Sequence, residues 1–223
     1  EASMKRTGLK NRKLPDYTRG EEIFNMVSHI VGGAFGIVAL VLCLITSILK
    51  GNPWSIVSSV VYGVSMVLLY TMSSVYHGLL PEMAKKVMQV LDHCTIYLLI
   101  AGTYTPIALC AIRPGYPAWG WALFGGVWAI AIVFTAIDLK KYAVLSMICY
   151  IGMGWCVVLA ADPVLKTIPV PGLIWLLAGG IAYTVGAILY GLGRKHRYMH
   201  SVFHLFVLAG SILHFVCIFV YII

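Results

Sequence analysis

The sequence predicts an all-α, polytopic membrane protein: a seven-transmembrane helix bundle with its N-terminus in the cytoplasm and its C-terminus outside. Three observations predict it. Of the 223 residues, 61% are hydrophobic and only 11% charged, and the mean hydropathy is +0.91, more apolar surface than a soluble domain of this length can hide. The apolar residues fall into seven runs, each near the roughly 20 residues that a helix needs to cross the hydrocarbon. The basic residues lie almost wholly on alternate connections between those runs.

The runs are Ile23–Leu49, Pro53–Leu80, Lys86–Ile112, Pro117–Ile137, Tyr142–Ala161, Gly172–Leu192 and Met199–Ile222. Short segments with turn chemistry separate them: "KGNP", "LLPEMAKK", "RPGYP", "DLKK", "DPVLKTIPVPG" and "GRKHR". With the N-terminus inside, the inner segments hold thirteen Lys and Arg residues: six before the first span, then Lys85, Lys86, Lys140, Lys141, Arg194, Lys195 and Arg197. The outer loops hold three, Lys50, Arg113 and Lys166. This bias sets the orientation, which is opposite to that of G-protein-coupled receptors. A retinal protein is excluded too, since the seventh span contains no lysine.

Two regions follow. Residues 1–22 form a basic cytoplasmic arm, with 1–3 read as an expression scar before Met4, and residues 23–223 form the membrane domain. The arm, "MKRTGLKNRK", reads as a solvated segment lying on anionic inner-leaflet headgroups. The net charge of +8 therefore points to lipid and not to nucleic acid. The first apolar run is too long for a cleavable signal peptide. Six cysteines, Cys43, Cys94, Cys110, Cys149, Cys156 and Cys217, lie in or beside apolar stretches without CxxC spacing and read as small buried residues.

Polar side chains inside spans are costly, so their depth is informative. The second span ends "SSVYHGLLPE", which places Ser73 and His77 near the cytoplasm. The third begins "KKVMQVLDHCTIY", with Asp92 under two turns in. The seventh opens with His200 and His204, and the first brings Asn25, Ser28 and His29 to the same level. Four segments thus deliver polar groups to one leaflet.

Positions i and i+4 share a helical face, so His200 and His204 can chelate one ion. His77 completes three nitrogens and leaves a fourth position for water, the plan of a catalytic zinc site. Asp92 is placed to bind that water, contacting the metal through it, and to take its proton. Ser73, one turn before His77, can hydrogen-bond the water, Asp92 or a polarised substrate carbonyl. Haem fits less well, because an i, i+4 pair on one helix would waste an imidazole.

Other residues read as structural. His93 points about 100° away from Asp92 around its helix and is not counted as a ligand. His196 lies in a basic loop, and His214, roughly 15 Å along the helix from His204, belongs to the outer half. His29 reads as a hydrogen-bonding link between the first and seventh spans. Gly32, Gly36, Ala178, Ala182 and Gly186 read as close helix-packing positions, and Pro106 as a kink.

At these residues the chain resembles the hemolysin III family, the bacterial branch of the progestin and adipoQ receptor family. The resemblance runs from Glu21 onward. It rests on "EEIFNMVSHIVG", the Ser73 and His77 of "SSVYH", "LDHCTIYLLIAGTYTP", "GMGW", and the His200 and His204 of "HSVFH". It implies a zinc ion held by His77, His200 and His204, with Asp92 reaching it through water. It also implies residence in a bacterial plasma membrane and a role in membrane-lipid homeostasis, to which bacterial members, named for haemolysis, are linked; eukaryotic relatives look like ceramide-cleaving amidases or hormone-responsive receptors.

Three functions compete on this reading. One is a zinc-dependent lipid amide or ester hydrolase with Asp92 as general base. The second is a non-enzymatic sensor of membrane state with structural zinc. The third is a cytolysin, for which the sequence offers no pore-lining amphipathic hairpin.

Overall fold

In a computed structural model of the chain, residues 8–136, 143–193 and 196–223 are described. Every regular element among them is helical, and seven helices are long and apolar enough to cross a membrane. They are α1 (Arg19–Leu49), α2 (Pro53–Gly78), α3 (Glu82–Pro106), α4 (Pro117–Ala136), a composite of α5 (Ala143–Gly154) and α6 (Ala161–Thr167), α7 (Val170–Leu192) and α8 (Met199–Tyr221). The chain is a multi-pass membrane protein.

Local chemistry fixes the helix ends. Thr18 caps α1 in a reciprocal box with Glu21, so that helix starts four residues before the expected Ile23. Asn52 caps α2, with Pro53 in the first turn, where its missing N–H costs nothing. α3 does not stop at Pro106. It continues as a π-helical turn, Ile107–Ile112, so the backbone leaves regular α-helical geometry directly after the proline.

The fifth span departs most from expectation. α5 gives way after Gly154 to a 3-10 stretch, Cys156–Ala160, and then to α6, so the apolar crossing runs Leu145–Thr167 and not Tyr142–Ala161. The expected loop "DPVLKT" is helical, with Asp162 and Lys166, one turn apart, paired at 2.9 Å on its exposed face. Ile137 and Tyr142, the expected ends of the fourth and fifth spans, lie outside the described residues, as do Lys140, Lys141, Arg194 and Lys195.

α3 is the central helix, 72% buried against no more than 50% for any other span. α1 packs along α2, α2 and α4 flank α3, and α7 pairs with α8, which returns to α1. Glycines set the close approaches. Gly32 and Gly36 of α1 face Tyr70 and Met66 of α2, as expected. On α7 the buried line is Gly172, Gly179 and Gly186, a heptad spacing, and Ala178 and Ala182 are only part-buried. These three glycines seat Tyr221, His214 and Phe206 of the antiparallel α8.

The basic arm is mostly exposed where it is described, Lys10, Lys13 and Arg19 included, and it also touches the bundle. A 3-10 turn, Leu9–Asn11, packs against α3, Arg12 is buried, and Lys86 Nζ donates to the Lys10 carbonyl at 3.5 Å. Residues 1–7 lie outside the described residues.

Candidate metal centre

Three imidazoles converge at the face of the bundle where α1 and α8 begin and α2 ends. His200 Nε2 lies 3.3 Å from His77 Nε2 and 3.0 Å from His204 Nε2, and the three donor atoms fall within 4.8 Å of one another. His200 and His204 stand one turn apart on α8, and His77 ends α2. The predicted donor set is therefore assembled, and among the described residues it is the only group of three or more metal-ligating side chains so placed.

Metal–nitrogen bonds of about 2.0–2.1 Å to a tetrahedral ion place the nitrogens about 3.3–3.4 Å apart, close to the 3.3 and 3.0 Å of the two pairs that include His200. The hydrogen-bond pattern agrees. His77 Nδ1 donates to Glu22 Oε2 at 2.6 Å, so in a neutral ring its Nε2 presents a lone pair towards His200. Lone pairs aimed at one point repel unless a cation or proton sits among them. His200 Nδ1 is buried with no hydrogen-bond partner, and its Nε2 is the nitrogen that faces His77 and His204. The residues present can hold a metal ion; nothing in the geometry says which.

Beside the imidazoles lies a cavity of about 270 Å³. Ser73, Asp92, His200 and His204 line it, together with apolar residues including Leu69, Ile96, Leu99 and Phe203. Asp92 is thus brought to the cavity without joining the converging donors. Its carboxylate stands 3.6 Å from His93 Nδ1. Ser73 Oγ is buried and has no hydrogen-bond partner.

Three further histidines line the cavity. His29 makes no hydrogen bond through either ring nitrogen and instead stacks on His204, with ring centroids 3.6 Å apart. The link expected of it, between α1 and α8, is made by Ser201 Oγ donating to Asn25 Oδ1 at 2.6 Å. His93, not counted among the ligands on sequence grounds, lines the cavity, its Nδ1 donating to the Gln89 carbonyl at 2.7 Å. His214 stays clear of the donor set, yet it too lines the cavity, because the void runs far enough along α8 to reach it.

Two contributors escaped the sequence reading. Glu22 joins the site through His77, and Lys85 Nζ reaches its other oxygen at 2.8 Å. Tyr17, from the arm, stacks on His200 with centroids 5.1 Å apart and lines the cavity with Pro15. Burial, then the neighbouring Tyr190 and Tyr76 hydroxyls, hold its phenol far above the ordinary range, so it is a neutral hydrogen-bond donor at working pH.

Known proteins place the chain independently. The Haemolysin-III related family matches residues 17–215. Hemolysin-3 of Bacillus cereus is 40% identical over 205 residues, covering 91% of this chain and 92% of that protein. A hemolysin-3 homolog of Bacillus subtilis (strain 168) is 38% identical over 208 residues, with 92% and 96% covered. The monocyte to macrophage differentiation factor of Homo sapiens is 25% identical over 184 residues, with 78% and 74% covered. With the family matched across nearly all of its length and its seven spans in place, this chain belongs to the haemolysin-III related family of membrane proteins.

Proposed function

We propose that this protein is a zinc-dependent hydrolase of membrane lipids, acting on an amide or ester bond at the inner leaflet. The observation that carries the reading is the position of His200 and His204, which belong to the three-nitrogen set and also form the wall of a cavity shared with Asp92 and Ser73. A structural zinc site is ordinarily closed by four protein ligands, whereas three protein ligands beside a void leave a position for substrate or water.

His77, His200 and His204 would hold the zinc ion, which when bound would supply a Lewis acid and lower the pKa of water. Asp92 accepts a proton from water as its oxygen bonds to the acyl carbon, and returns it to the leaving nitrogen or oxygen as the acyl bond breaks. Ser73 Oγ, free of other partners, donates to the substrate carbonyl. The apolar wall of Leu69, Ile96, Leu99 and Phe203 takes the hydrocarbon, and Tyr17 limits bulk water at the arm side.

The test is fatty-acid release from bilayers of defined lipid by the purified, zinc-loaded protein, followed by mass spectrometry. Asp92→Asn should retain zinc and lose at least about a hundredfold in turnover. A zinc-loaded wild type that releases nothing from any bilayer lipid overturns the proposal.

One observation favours a second reading. The three imidazoles tie α2 to α8, and on that reading the ion is a staple in a non-enzymatic regulator of membrane state. Unchanged cellular function in Asp92→Asn selects it. Haemolysis, for which the Bacillus cereus relative is named, is tested by adding purified protein to erythrocytes.

A further inference from the structure

α1 supplies none of the three converging nitrogens, yet it touches both helices that do. Its first turn carries adjacent carboxylates, and successive residues of a helix point about 100° apart, so the two reach different neighbours. Glu22 turns to α2, where Oε2 accepts from His77 Nδ1 at 2.6 Å. Glu21 turns to α8, where Oε1 accepts from the backbone N–H of Tyr198 at 2.6 Å, two residues before His200.

Each contact has a specific consequence. A carboxylate on Nδ1 fixes the His77 tautomer and its ring plane, and draws electron density towards Nε2, the atom that faces His200. Lys85 holds that carboxylate in turn. Its Nζ donates to Glu22 Oε1 at 2.8 Å and to the carbonyls of Leu79 and His77 at 3.2 and 3.4 Å, which clamps the glutamate to the last turn of α2. On the other side Tyr198 adopts φ 61°, a left-handed conformation that a bulky residue enters only when its surroundings hold it there. Glu21, itself fixed by Thr18 N and Oγ1 at 2.8 and 2.7 Å, is that restraint, and it decides how α8 begins.

We propose that the Glu21–Glu22 pair positions the metal centre from outside its ligand set, with Glu22 orienting and polarising His77 and Glu21 setting the entry of the helix that carries His200 and His204. The inference rests on the reading of the three histidines as metal ligands.

Zinc affinity is measured by chelator competition on the full chain in detergent, and the coordination geometry is read from the visible spectrum of Co²⁺ bound in place of zinc. Glu22→Ala should weaken affinity about 10- to 100-fold, and Glu22→Gln, which keeps size and an acceptor but loses the charge, by less. Both should alter the Co²⁺ spectrum while melting like wild type in EDTA, so that only the metal-induced rise in Tm shrinks. Loss in Glu22→Ala with wild-type behaviour in Glu22→Gln overturns the polarising role given to the Glu22 charge. Should Glu22→Ala fail to fold, Glu22→Gln decides: unchanged affinity and spectrum in it then overturn the inference. Wild-type behaviour in both variants overturns it outright. A wild type that binds neither zinc nor Co²⁺ removes the metal reading itself, a separate failure.

Discussion

The Nε2 atoms of His77 and His200 lie 3.3 Å apart although 123 residues separate them in the chain. That proximity depends on α2 ending, and α8 beginning, at the same depth of the bundle. It brings two basic nitrogens from different helices to one point in an apolar setting, and the first expectation follows from it.

Purified wild-type protein should carry about one zinc per chain, the content set by a single three-nitrogen site. His77→Ala, His200→Ala and His204→Ala should each fall below about a tenth of that, since two nitrogens bind far more weakly than three. Elemental analysis after dialysis against a weak chelator measures it, and wild-type metal content in all three variants would remove the site.

Tyr17 stacks on His200 at the arm side, so it screens the ligands from solvent. Tyr17→Ala should let a soluble chelator strip zinc several-fold faster while equilibrium affinity changes little. Stopped-flow with a chromogenic chelator reads the rate, and identical stripping in the two proteins argues that the arm is no barrier.

The phenol of Tyr17 also gives a pH dependence with a definite sign. Its folded pKa is raised, so above the ordinary phenol value of 10.0 the unfolded chain loses this proton before the native one does. The unfolded state then binds fewer protons, and stability falls as pH rises through that region. Between about pH 6 and 9 Tyr17 should contribute no slope. Melting curves of wild type and Tyr17→Phe should run parallel there and diverge above about pH 10, with wild type losing more.

Gly179 faces the His214 ring, which is held by a 3.0 Å hydrogen bond from Nε2 to the Leu176 carbonyl. A methyl group at Gly179 drives into that ring and should cost about 1–3 kcal/mol. Gly125, inside α4, is the control: a methyl group added there meets nothing within 4 Å, and Gly125→Ala should gain about 0.5–1 kcal/mol. Thermal melts in detergent compare the two, and equal Tm values would deny the glycine line its packing role.

We expect the N-terminus and the metal centre to face the cytoplasm. Single cysteines placed at Gly8 and Gly115 in a cysteine-free background should label from opposite sides of the membrane with an impermeant reagent, Gly115 from outside. The reverse pattern overturns the orientation.

The seven spans and the three histidines were legible in the sequence because hydropathy and an i, i+4 pair are one-dimensional signals. Glu22 was not, since a carboxylate in the first turn of a helix ordinarily answers the helix dipole, and only the neighbouring end of α2 gives it another task. Tyr17 was hidden for a related reason: the lysines and arginines around it suggest a solvated arm. The extension of the fifth span to Thr167 was hidden because Asp162, Pro163 and Lys166 suggest loop by composition, yet the acid and the base pair along an exposed helical face. His29 was misread because stacking on an imidazole leaves no trace in residue spacing.

The heptad of glycines on α7 works as a ruler. Gly172, Gly179 and Gly186 index α8 at Tyr221, His214 and Phe206, so the last helix is gauged along its length from its far end and arrives with His204 and His200 already at their proper height. A slip of one residue would swing both rings by about 100° and lift them by about 1.5 Å, off the lone pair of His77. The spacing of the three imidazoles, on this view, is calibrated by residues that have no side chain at all.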